Sequence, residues 1–274
     1  MPALEVNGTT IHYQEAGEGF PVVQVHGYTG NLNNWAPLKP SLSAGYRTIA
    51  LDLRGHGLSS RPALPEDYRL EVMAADVAAV IEALGIEGCH LMGHSMGGMV
   101  AQELALSRPR LVRSLVLIAT TGEAPVVARM EERRRLAVIA REQGLEAVFE
   151  AQLGFSSLPG RLEAEPHLVA QWRREFLMTS VDAFIYCGRA MLERRPRYQE
   201  LAGLAVPALI ACGESDSFFL EPSKRLHQAM RASRLAIMAG CGHSPHIEEP
   251  DAFAALLLPF LAEAEAAVPA ERGA

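Results

Sequence analysis

Short apolar runs alternate with longer amphipathic segments through the first part of the chain. The runs 21–26, 46–52 and 89–92 are bounded by glycine or polar turn residues, which predicts buried strands. Between the second and third runs, apolar residues recur at helical spacing and stop before Gly85, where a helix end belongs. Strands that alternate with helices in this way indicate a parallel sheet with helices on both faces.

The same kind of pattern marks the two ends of the chain. Asn7-Gly8 is a strong hairpin-turn pair, so we expect residues 9–15 to form an early antiparallel strand. Near the C-terminus, apolar runs predict strands over 206–212 and 235–238, each followed by a helix. The alternation therefore resumes late in the chain and extends the same sheet.

Residues from about Glu123 to Ala202 depart from this alternation, because they show helical spacing and no strand pattern. We therefore predict a single α/β core that is interrupted by a helical cap. The predicted core comprises residues 1–122 and 203–274, and the predicted cap comprises residues 123–202. We expect the cap to lie over the carboxyl edge of the sheet, where α/β folds bind their ligands.

The composition is that of a globular protein and argues against several classes of function. The 274 residues are 49% hydrophobic and 21% charged, with a net charge of −7, so we expect neither disorder nor nucleic-acid binding. The local basic run 133–135 follows two glutamates and is typical of a solvated helix face. With no recognisable targeting signal or bilayer-length apolar stretch, we expect a cytoplasmic protein without a membrane partner. Homodimer formation stays open.

The segment Gly93-His94-Ser95-Met96-Gly97 has the form G-x-S-x-G and lies between a predicted strand and a predicted helix. In such a strand–turn–helix, the glycines remove β-carbons that would collide where the chain folds back. The serine is then held in a strained turn with its hydroxyl accessible at the sheet edge. Ser95 is therefore the candidate nucleophile, and a simple helix N-terminus with a capping serine is the alternative.

A serine hydroxyl is a weak nucleophile at neutral pH and needs a base within hydrogen-bonding distance. His243 follows Gly240-Cys241-Gly242, between the last short strand and the last helix, which places it at the carboxyl edge of the sheet. His246 is the alternative base. His90 and His94, which flank the candidate nucleophile, are expected to be structural, and His26 and His56 belong to two loop motifs.

The base in turn needs an acid that orients its ring and stabilises its charged form. Asp216 follows the predicted strand 206–212 and is the candidate for this role. Glu214, two residues earlier, and Asp182, in the predicted cap, are the alternatives.

Acyl transfer also requires hydrogen-bond donors for the oxyanion. We expect the backbone N–H of Met96, which follows the nucleophile, to be one donor and the backbone N–H of Tyr28 to be the other. This chemistry needs no metal, and the four scattered cysteines lack metal-ligand spacing. We therefore expect no cofactor.

Five motifs in this chain resemble those of the α/β-hydrolase superfamily. They are His26-Gly27, Asp52-Leu53-Arg54-Gly55-His56-Gly57-Leu58-Ser59, Gly93-His94-Ser95-Met96-Gly97-Gly98, Gly213-Glu214-Ser215-Asp216 and Gly242-His243 through Glu249-Pro250. The resemblance covers nearly the whole chain and is weakest in the cap. It implies a mostly parallel eight-stranded sheet flanked by helices, and the chain order Ser95, Asp216, His243. It also implies structural roles for Arg54 and His56.

The nucleophile narrows the choice of reaction within this superfamily. Ser95 argues against dehalogenases and epoxide hydrolases, which use aspartate. The pattern is similar to small esterases and enol-lactonases, so we predict a carboxylesterase that cleaves small, mostly apolar esters or lactones. Hydrolases of C–C bonds commonly have Asn before the nucleophile and Trp after the histidine, where this chain has His94 and Ser244. A C–C hydrolase, a cofactor-free haloperoxidase and a slow small-molecule receptor are the alternatives.

The predicted cap is rich in aromatic and methionine side chains, which favours an apolar substrate pocket. These side chains are Phe149, Phe155, Trp172, Phe176, Met178, Phe184, Tyr186 and Met191. The residues that we expect to contact the substrate are Tyr28, Trp172, Phe184 and Met191. Arg174 and Arg189 are candidates for binding a substrate carboxylate, although solvent exposure is the better expectation for each.

Overall fold

Eight strands form one sheet in the computed structural model, which describes residues 2–124, 127–153 and 166–267. The strands are β1 (Ala3–Val6), β2 (Thr9–Ala16), β3 (Phe20–Val25), β4 (Tyr46–Leu51), β5 (Cys89–His94), β6 (Val112–Ile118), β7 (Ala208–Gly213) and β8 (Ser233–Met238). Their order across the sheet is β1-β2-β4-β3-β5-β6-β7-β8. β2 runs antiparallel to β1 and β4. The other neighbouring pairs, β4-β3, β3-β5, β5-β6, β6-β7 and β7-β8, are parallel. The mostly parallel eight-stranded sheet expected from the sequence is confirmed.

Helices connect the parallel strands and cover both faces of the sheet. They are α1 (Lys39–Leu42), α2 (Leu70–Ala83), α3 (Met96–Ser107), α4 (Val127–Leu153), α5 (Pro166–Phe176), α6 (Val181–Leu192), α7 (Tyr198–Ala202), α8 (Leu220–Ala229), α9 (Pro245–Glu248) and α10 (Pro250–Ala266). Short 3-10 helices span Leu32–Leu38, Pro65–Tyr68 and Pro109–Leu111. Gly144, at φ 82°, interrupts the helical geometry within α4.

Two hydrophobic cores lie on opposite faces of the sheet, because successive strand residues point in opposite directions. In β5, Leu91 packs into the core that includes α2, α3 and α8, whereas Met92 packs into the core that includes α1 and α10. The whole of β5 is buried. A strand buried on both faces gives a continuous apolar run rather than an alternating one, which is why it was recognisable from the sequence.

The chain between β6 and β7 forms the helical insertion, with helices α4 to α7 in its described part. It has a hydrophobic cluster of its own, which includes Phe149, Phe176 and Phe184. The helical insertion expected from the sequence is therefore confirmed, and its boundaries at residues 123 and 202 stay a prediction. Among the described residues, no helix combines the length and the apolar character that crossing a bilayer requires.

A buried ionic network joins the two segments where the insertion leaves and re-enters the core. Glu103 of α3 accepts from Arg197 at 2.6 Å and lies 3.4 Å from Arg194. Arg194 also donates to the carbonyl of Thr121 at 2.7 Å, and the amide of Arg197 donates to the carbonyl of Gly122 at 2.8 Å. One carboxylate on α3 therefore ties both connecting segments to the helix that begins at the candidate nucleophile.

We expect Glu103→Gln to lower the free energy of unfolding by about 3 kcal/mol, because it leaves two buried guanidinium groups without their carboxylate. Urea denaturation monitored by tryptophan fluorescence measures this loss. Glu71→Gln is the matched control, since the Glu71 side chain pairs with Arg197 at 3.3 Å but is 62% exposed. Its effect should stay below about 1 kcal/mol. Equally small effects of the two variants would contradict the proposed role of this network in stability.

Candidate active site

Ser95 occupies a strained turn between the end of β5 and the start of α3. Its backbone has φ 52° and ψ −114°, a left-handed conformation that is uncommon for residues other than glycine. The amide of Ser95 donates to the carbonyl of Ile118 at 2.8 Å, and the hydroxyl of Thr120 donates to the carbonyl of Ser95 at 2.7 Å. Both partners belong to β6 or the residues just after it, so the neighbouring strand holds the turn in place.

The glycines on either side of the serine are required by close backbone contacts. A β-carbon at Gly93 would lie 2.3 Å from the carbonyl oxygen of Gly97, and one at Gly97 would lie 2.2 Å from the carbonyl oxygen of Val25. Any side chain at either position would therefore force the strand and helix apart. These contacts provide the physical reason for the G-x-S-x-G pattern in this chain.

Three side chains from distant parts of the chain converge at the carboxyl edge of the sheet. Nε2 of His243 lies 3.1 Å from Oγ of Ser95, and Nδ1 of His243 lies 2.7 Å from Oδ2 of Asp216. Donation from Nδ1–H to the carboxylate leaves Nε2 free to accept the serine proton. Ser95 is 8% exposed and Asp216 is 5% exposed, whereas the side chain of His243 is 31% exposed, so the two ends of the hydrogen-bonded line are shielded from water.

Asp216 remains charged despite its burial. Burial acts to raise the pKa of this carboxyl, but the hydrogen bond and the positive potential of His243 act to lower it. The amides of Phe218 and Phe219 add to the lowering, since each donates to Oδ1 at 3.2 Å. The net pKa lies below the ordinary value for aspartate, which keeps a negative charge beside the imidazole.

The structure places the alternative acids and the alternative base elsewhere. Glu214 is exposed and accepts from the amide of Gly240 at 3.3 Å, and Asp182 lies in the first turn of α6. His246 is buried, with its ring between those of Trp35 and His94 at centroid distances of 4.8 and 4.7 Å. Burial and the nearby His243 lower its pKa to about 3, so it stays neutral at neutral pH.

His94 contacts the candidate base directly, a contact that the sequence did not reveal. Its Nε2–H donates to the backbone carbonyl of His243 at 2.9 Å, and the two rings are 4.8 Å apart. Burial, followed by the repulsion of His246 and His243, holds the pKa of His94 well below its ordinary value. His94 is therefore a neutral donor that positions the loop carrying His243.

The ring of Phe219 stacks on that of His243, with a centroid distance of 4.8 Å and an interplanar angle of 29°. This contact was also missed from the sequence. The available signal was the position of Phe219 three residues after Asp216, on the turn that binds the carboxylate. The stacked ring restricts the imidazole to the orientation that both hydrogen bonds require.

The loop after β3 lies against the nucleophile. A β-carbon at Gly27 would come within 3.3 Å of the β-carbon of Ser95, so the loop that carries Tyr28 packs against the turn of the nucleophile. The amide of Met96 is the first of α3 and has no acceptor within that helix. This placement agrees with the expected use of both amides as oxyanion donors, which stays a prediction.

Asp52 and the residues after it brace the same loop. The carboxylate of Asp52 accepts from the amide of Leu32 at 2.8 Å and from the amide of Leu58 at 2.9 Å. Nε of Arg54 donates to the buried carboxylate of Asp76 at 2.6 Å. His56 donates through Nδ1 to the carbonyl of Arg54 at 2.9 Å, and burial lowers its pKa to about 3. These contacts are structural, as the resemblance implied.

His26 and His90 are likewise held in structural positions. Nε2 of His26 accepts from the amide of Leu53 at 3.0 Å, and its Nδ1–H donates to the carbonyl of Gly27 at 2.7 Å. His90 lies within β5, where Nδ1 is 2.7 Å from Oγ of Ser114. Burial lowers the pKa of each ring to about 4.

The three cap residues expected to contact substrate, Phe184, Trp172 and Met191, lie in different environments. Phe184 is buried, and its ring lies 5.3 Å from that of Tyr28, whose hydroxyl donates to the carbonyl of Phe184. Trp172 packs on Phe149 within the insertion, and Met191 is buried in the core that includes α2 and α3. Phe184 is thus in contact with Tyr28, and substrate contacts by Tyr28, Trp172, Phe184 and Met191 stay predictions.

Several further sequence predictions concern the surface and possible metal ligands. Arg174 and Arg189 are exposed, and Arg189 pairs with Glu193 at 2.8 Å. Phe155 lies outside the described residues. The cysteines Cys89, Cys187, Cys212 and Cys241 are buried. Across the ranges that the structure describes, no three His, Cys, Asp or Glu side chains are grouped as a metal site.

A serine, a histidine and an aspartate on turns at one sheet edge define the class of site found in hydrolases with a nucleophilic serine. A family model for the alpha/beta hydrolase fold matches residues 21–250. The chain belongs to this family.

Individual relatives and solved structures agree with the family assignment. The 2-hydroxymuconate semialdehyde hydrolase of Pseudomonas sp. (strain CF600) is 30% identical, over 95% of this chain and 93% of that protein. The enol-lactonase from Burkholderia xenovorans LB400 superposes with a TM-score of 0.87 and 29% identity, covering 95% of this chain and all (100%) of that one. A thermophilic esterase from Thermogutta terrifontis gives a TM-score of 0.85 and 25% identity, covering 93% and 94%. The fold and these relatives indicate a hydrolase.

We expect kcat/KM for an ester to rise with pH, because the imidazole of His243 accepts the serine proton only in its neutral form. A single proton should control the rise, since burial keeps the pKa of His246 at about 3 and that of His94 well below its ordinary value. Initial rates at constant ionic strength measure the profile. Circular dichroism at each pH is the control for unfolding, and a flat profile with intact protein would argue against a histidine base.

Proposed function

We propose that the protein is a serine hydrolase that cleaves carboxylic ester or lactone bonds of small, mostly apolar substrates. The observation that carries this proposal is the hydrogen-bonded line from Asp216 through His243 to Ser95, with distances of 2.7 and 3.1 Å. The site lies at the carboxyl edge of a parallel sheet, beside the loop after β3, whose Tyr28 amide is the expected second oxyanion donor.

The reaction begins when Oγ of Ser95 attacks the carbonyl carbon of the substrate and Nε2 of His243 takes the hydroxyl proton. The negative charge then develops on the carbonyl oxygen, where the amides of Met96 and Tyr28 donate hydrogen bonds. The imidazolium returns its proton to the departing alcohol, which leaves an acyl group on Ser95. A water molecule then attacks the acyl carbonyl while Nε2 of His243 takes its proton. The imidazolium returns this proton to Oγ of Ser95 as the carboxylic acid leaves.

Asp216 contributes by stabilising the imidazolium that exists during each proton transfer. Its carboxylate lies 2.7 Å from Nδ1 of His243 and is itself held by two backbone amides. The orientation is therefore set before the substrate arrives, and little reorganisation is needed during the reaction.

Hydrolysis of a C–C bond in a ring-fission product is the second candidate. The 30% identity to the 2-hydroxymuconate semialdehyde hydrolase favours it. Ester and lactone hydrolysis has support from the structural similarity to the enol-lactonase and to the thermophilic esterase. His94, which takes the position before the nucleophile and donates to the carbonyl of His243, further supports ester hydrolysis over C–C cleavage.

We expect Ser95→Ala to lower hydrolysis of p-nitrophenyl esters by more than about 10⁴-fold, because the attacking oxygen is removed. Ser217→Ala is the control, since Ser217 is exposed and lies one residue after Asp216. Rates for esters of increasing chain length, a lactone and a ring-fission dienoate are measured on one preparation. Retained activity in folded Ser95→Ala would exclude the acyl-enzyme on this residue. A strong preference for the dienoate would select the second candidate.

We expect Asp216→Asn to lower kcat by about 10⁴-fold, because the amide no longer stabilises the ring form that presents Nε2 to the serine. Glu214→Gln is the matched control on the same loop and should retain most of the activity. A large loss for Glu214→Gln with a small loss for Asp216→Asn would transfer the role of the acid to Glu214. Thermal unfolding of each variant checks that the fold is retained.

A further inference from the structure

Arg133 lies against Tyr28, in the loop after β3, although its sequence context predicted a solvated helix face. Its guanidinium carbon is 4.4 Å from the centroid of the Tyr28 ring. Arg133 is half-buried, whereas the flanking Glu132 and Arg134 are exposed. The expected solvated face therefore holds for Glu132 and Arg134, whereas Arg133 is only partly solvated.

The charge of Arg133 lacks a carboxylate partner in the described part of the chain. Within those residues, no Asp or Glu oxygen lies within 4.0 Å of its guanidinium, and its buried Nε has no hydrogen-bond partner. The fully buried arginines are paired: Arg54 with Asp76 at 2.6 Å, and both Arg194 and Arg197 with Glu103. A guanidinium that is partly removed from water without a counter-charge is unfavourable, so the half-buried Arg133 is a candidate to bind an external anion.

The groups packed around Arg133 do not provide a negative charge. Burial raises the pKa of the Tyr28 phenol and that of the Cys187 thiol, so both are neutral at physiological pH. Gly188 adds no side chain, and a β-carbon there would lie 3.1 Å from the Tyr28 hydroxyl and 4.0 Å from Cδ of Arg133. The described neighbours Tyr28, Cys187 and Gly188 therefore bring no counter-charge to Arg133, which strengthens its attraction for an anion.

Tyr28 connects this charge to the reacting centre. Its amide is a proposed oxyanion donor, and the centroid of its ring lies 4.4 Å from the guanidinium carbon of Arg133. From standard bond lengths, the guanidinium is at most about 10 Å from that amide. A carboxylate bound to Arg133 would thus be separated from the scissile carbonyl by a chain of roughly three to five carbons.

We propose that Arg133 is a specificity-determining residue that binds a carboxylate carried by the substrate. This inference rests on the proposed function and narrows it to half-esters, or the corresponding lactones, of small dicarboxylic acids. The guanidinium donates to the carboxylate, while the apolar cap side chains contact the intervening carbons. The ester carbonyl then lies between Ser95 and the amide of Tyr28.

The test compares two substrates that differ only in charge: the mono-p-nitrophenyl ester of glutaric acid and its methyl-capped diester. We expect the natural protein to prefer the half-ester. Arg133→Met should lower kcat/KM for the half-ester by about 10- to 100-fold, mainly through KM, and change the diester by less than about 3-fold. Arg133→Lys should retain part of the preference. Arg134→Met is the matched control and should leave both rates unchanged.

A binding measurement separates this inference from the proposed function. Calorimetric titration of Ser95→Ala with glutarate should show binding that a second change, Arg133→Met, removes, whether or not the protein hydrolyses esters. Binding with no ester turnover by the natural protein would refute only the proposed function. Equal losses for both esters in folded Arg133→Met, or glutarate binding that survives the change, would overturn the role of Arg133. Thermal unfolding verifies that each variant is folded.

Discussion

The strained backbone of Ser95 is the constraint on which the rest of this structure depends. A non-glycine residue at positive φ costs about 1–3 kcal/mol and persists only where its surroundings enforce it. Here, Ile118 and Thr120 bind the backbone on one side, and the absence of β-carbons at Gly93 and Gly97 permits close packing on the other. Because those hydrogen bonds come from β6 and the residues after it, the turn requires the parallel pairing of β5 with β6. The geometry of the nucleophile and the stability of the sheet thus depend on the same contacts.

Much of the fold was predictable because buried parallel strands have a distinctive local sequence. β5 was predicted over 89–92 and is observed over Cys89–His94. β8 extends to Ser233, beyond its predicted start at residue 235, because its backbone pairs with β7 over residues that have no apolar pattern. The position of β4 between β2 and β3 was not deducible from periodicity, since strand order depends on contacts between distant segments.

The candidate site divides in a similar way between local signals and distant contacts. Ser95, Asp216 and His243 each follow a strand and have a glycine within three residues, so local sequence was sufficient to select them. The bond from His94 to the carbonyl of His243 joins residues that are 149 positions apart, and no local pattern predicts it. The orientation of Arg133 depends on how α4 is rotated against the core. Its charge pattern, with glutamates before it and arginines after it, indicated only that the helix has an exposed face.

The neutral histidines around the site explain how one imidazole acquires a charge at low cost. During the reaction His243 becomes positively charged, and a second imidazolium beside it would oppose this step. Burial prevents that, because it lowers the pKa of His246 to about 3 and that of His94 well below its ordinary value. Asp216 then stabilises the positive charge on His243, since its carboxylate is shielded from water and hydrogen-bonded to Nδ1. The packing that stabilises the sheet edge therefore also makes the electrostatic environment asymmetric, with a fixed negative charge on one side of the base and neutral rings on the other.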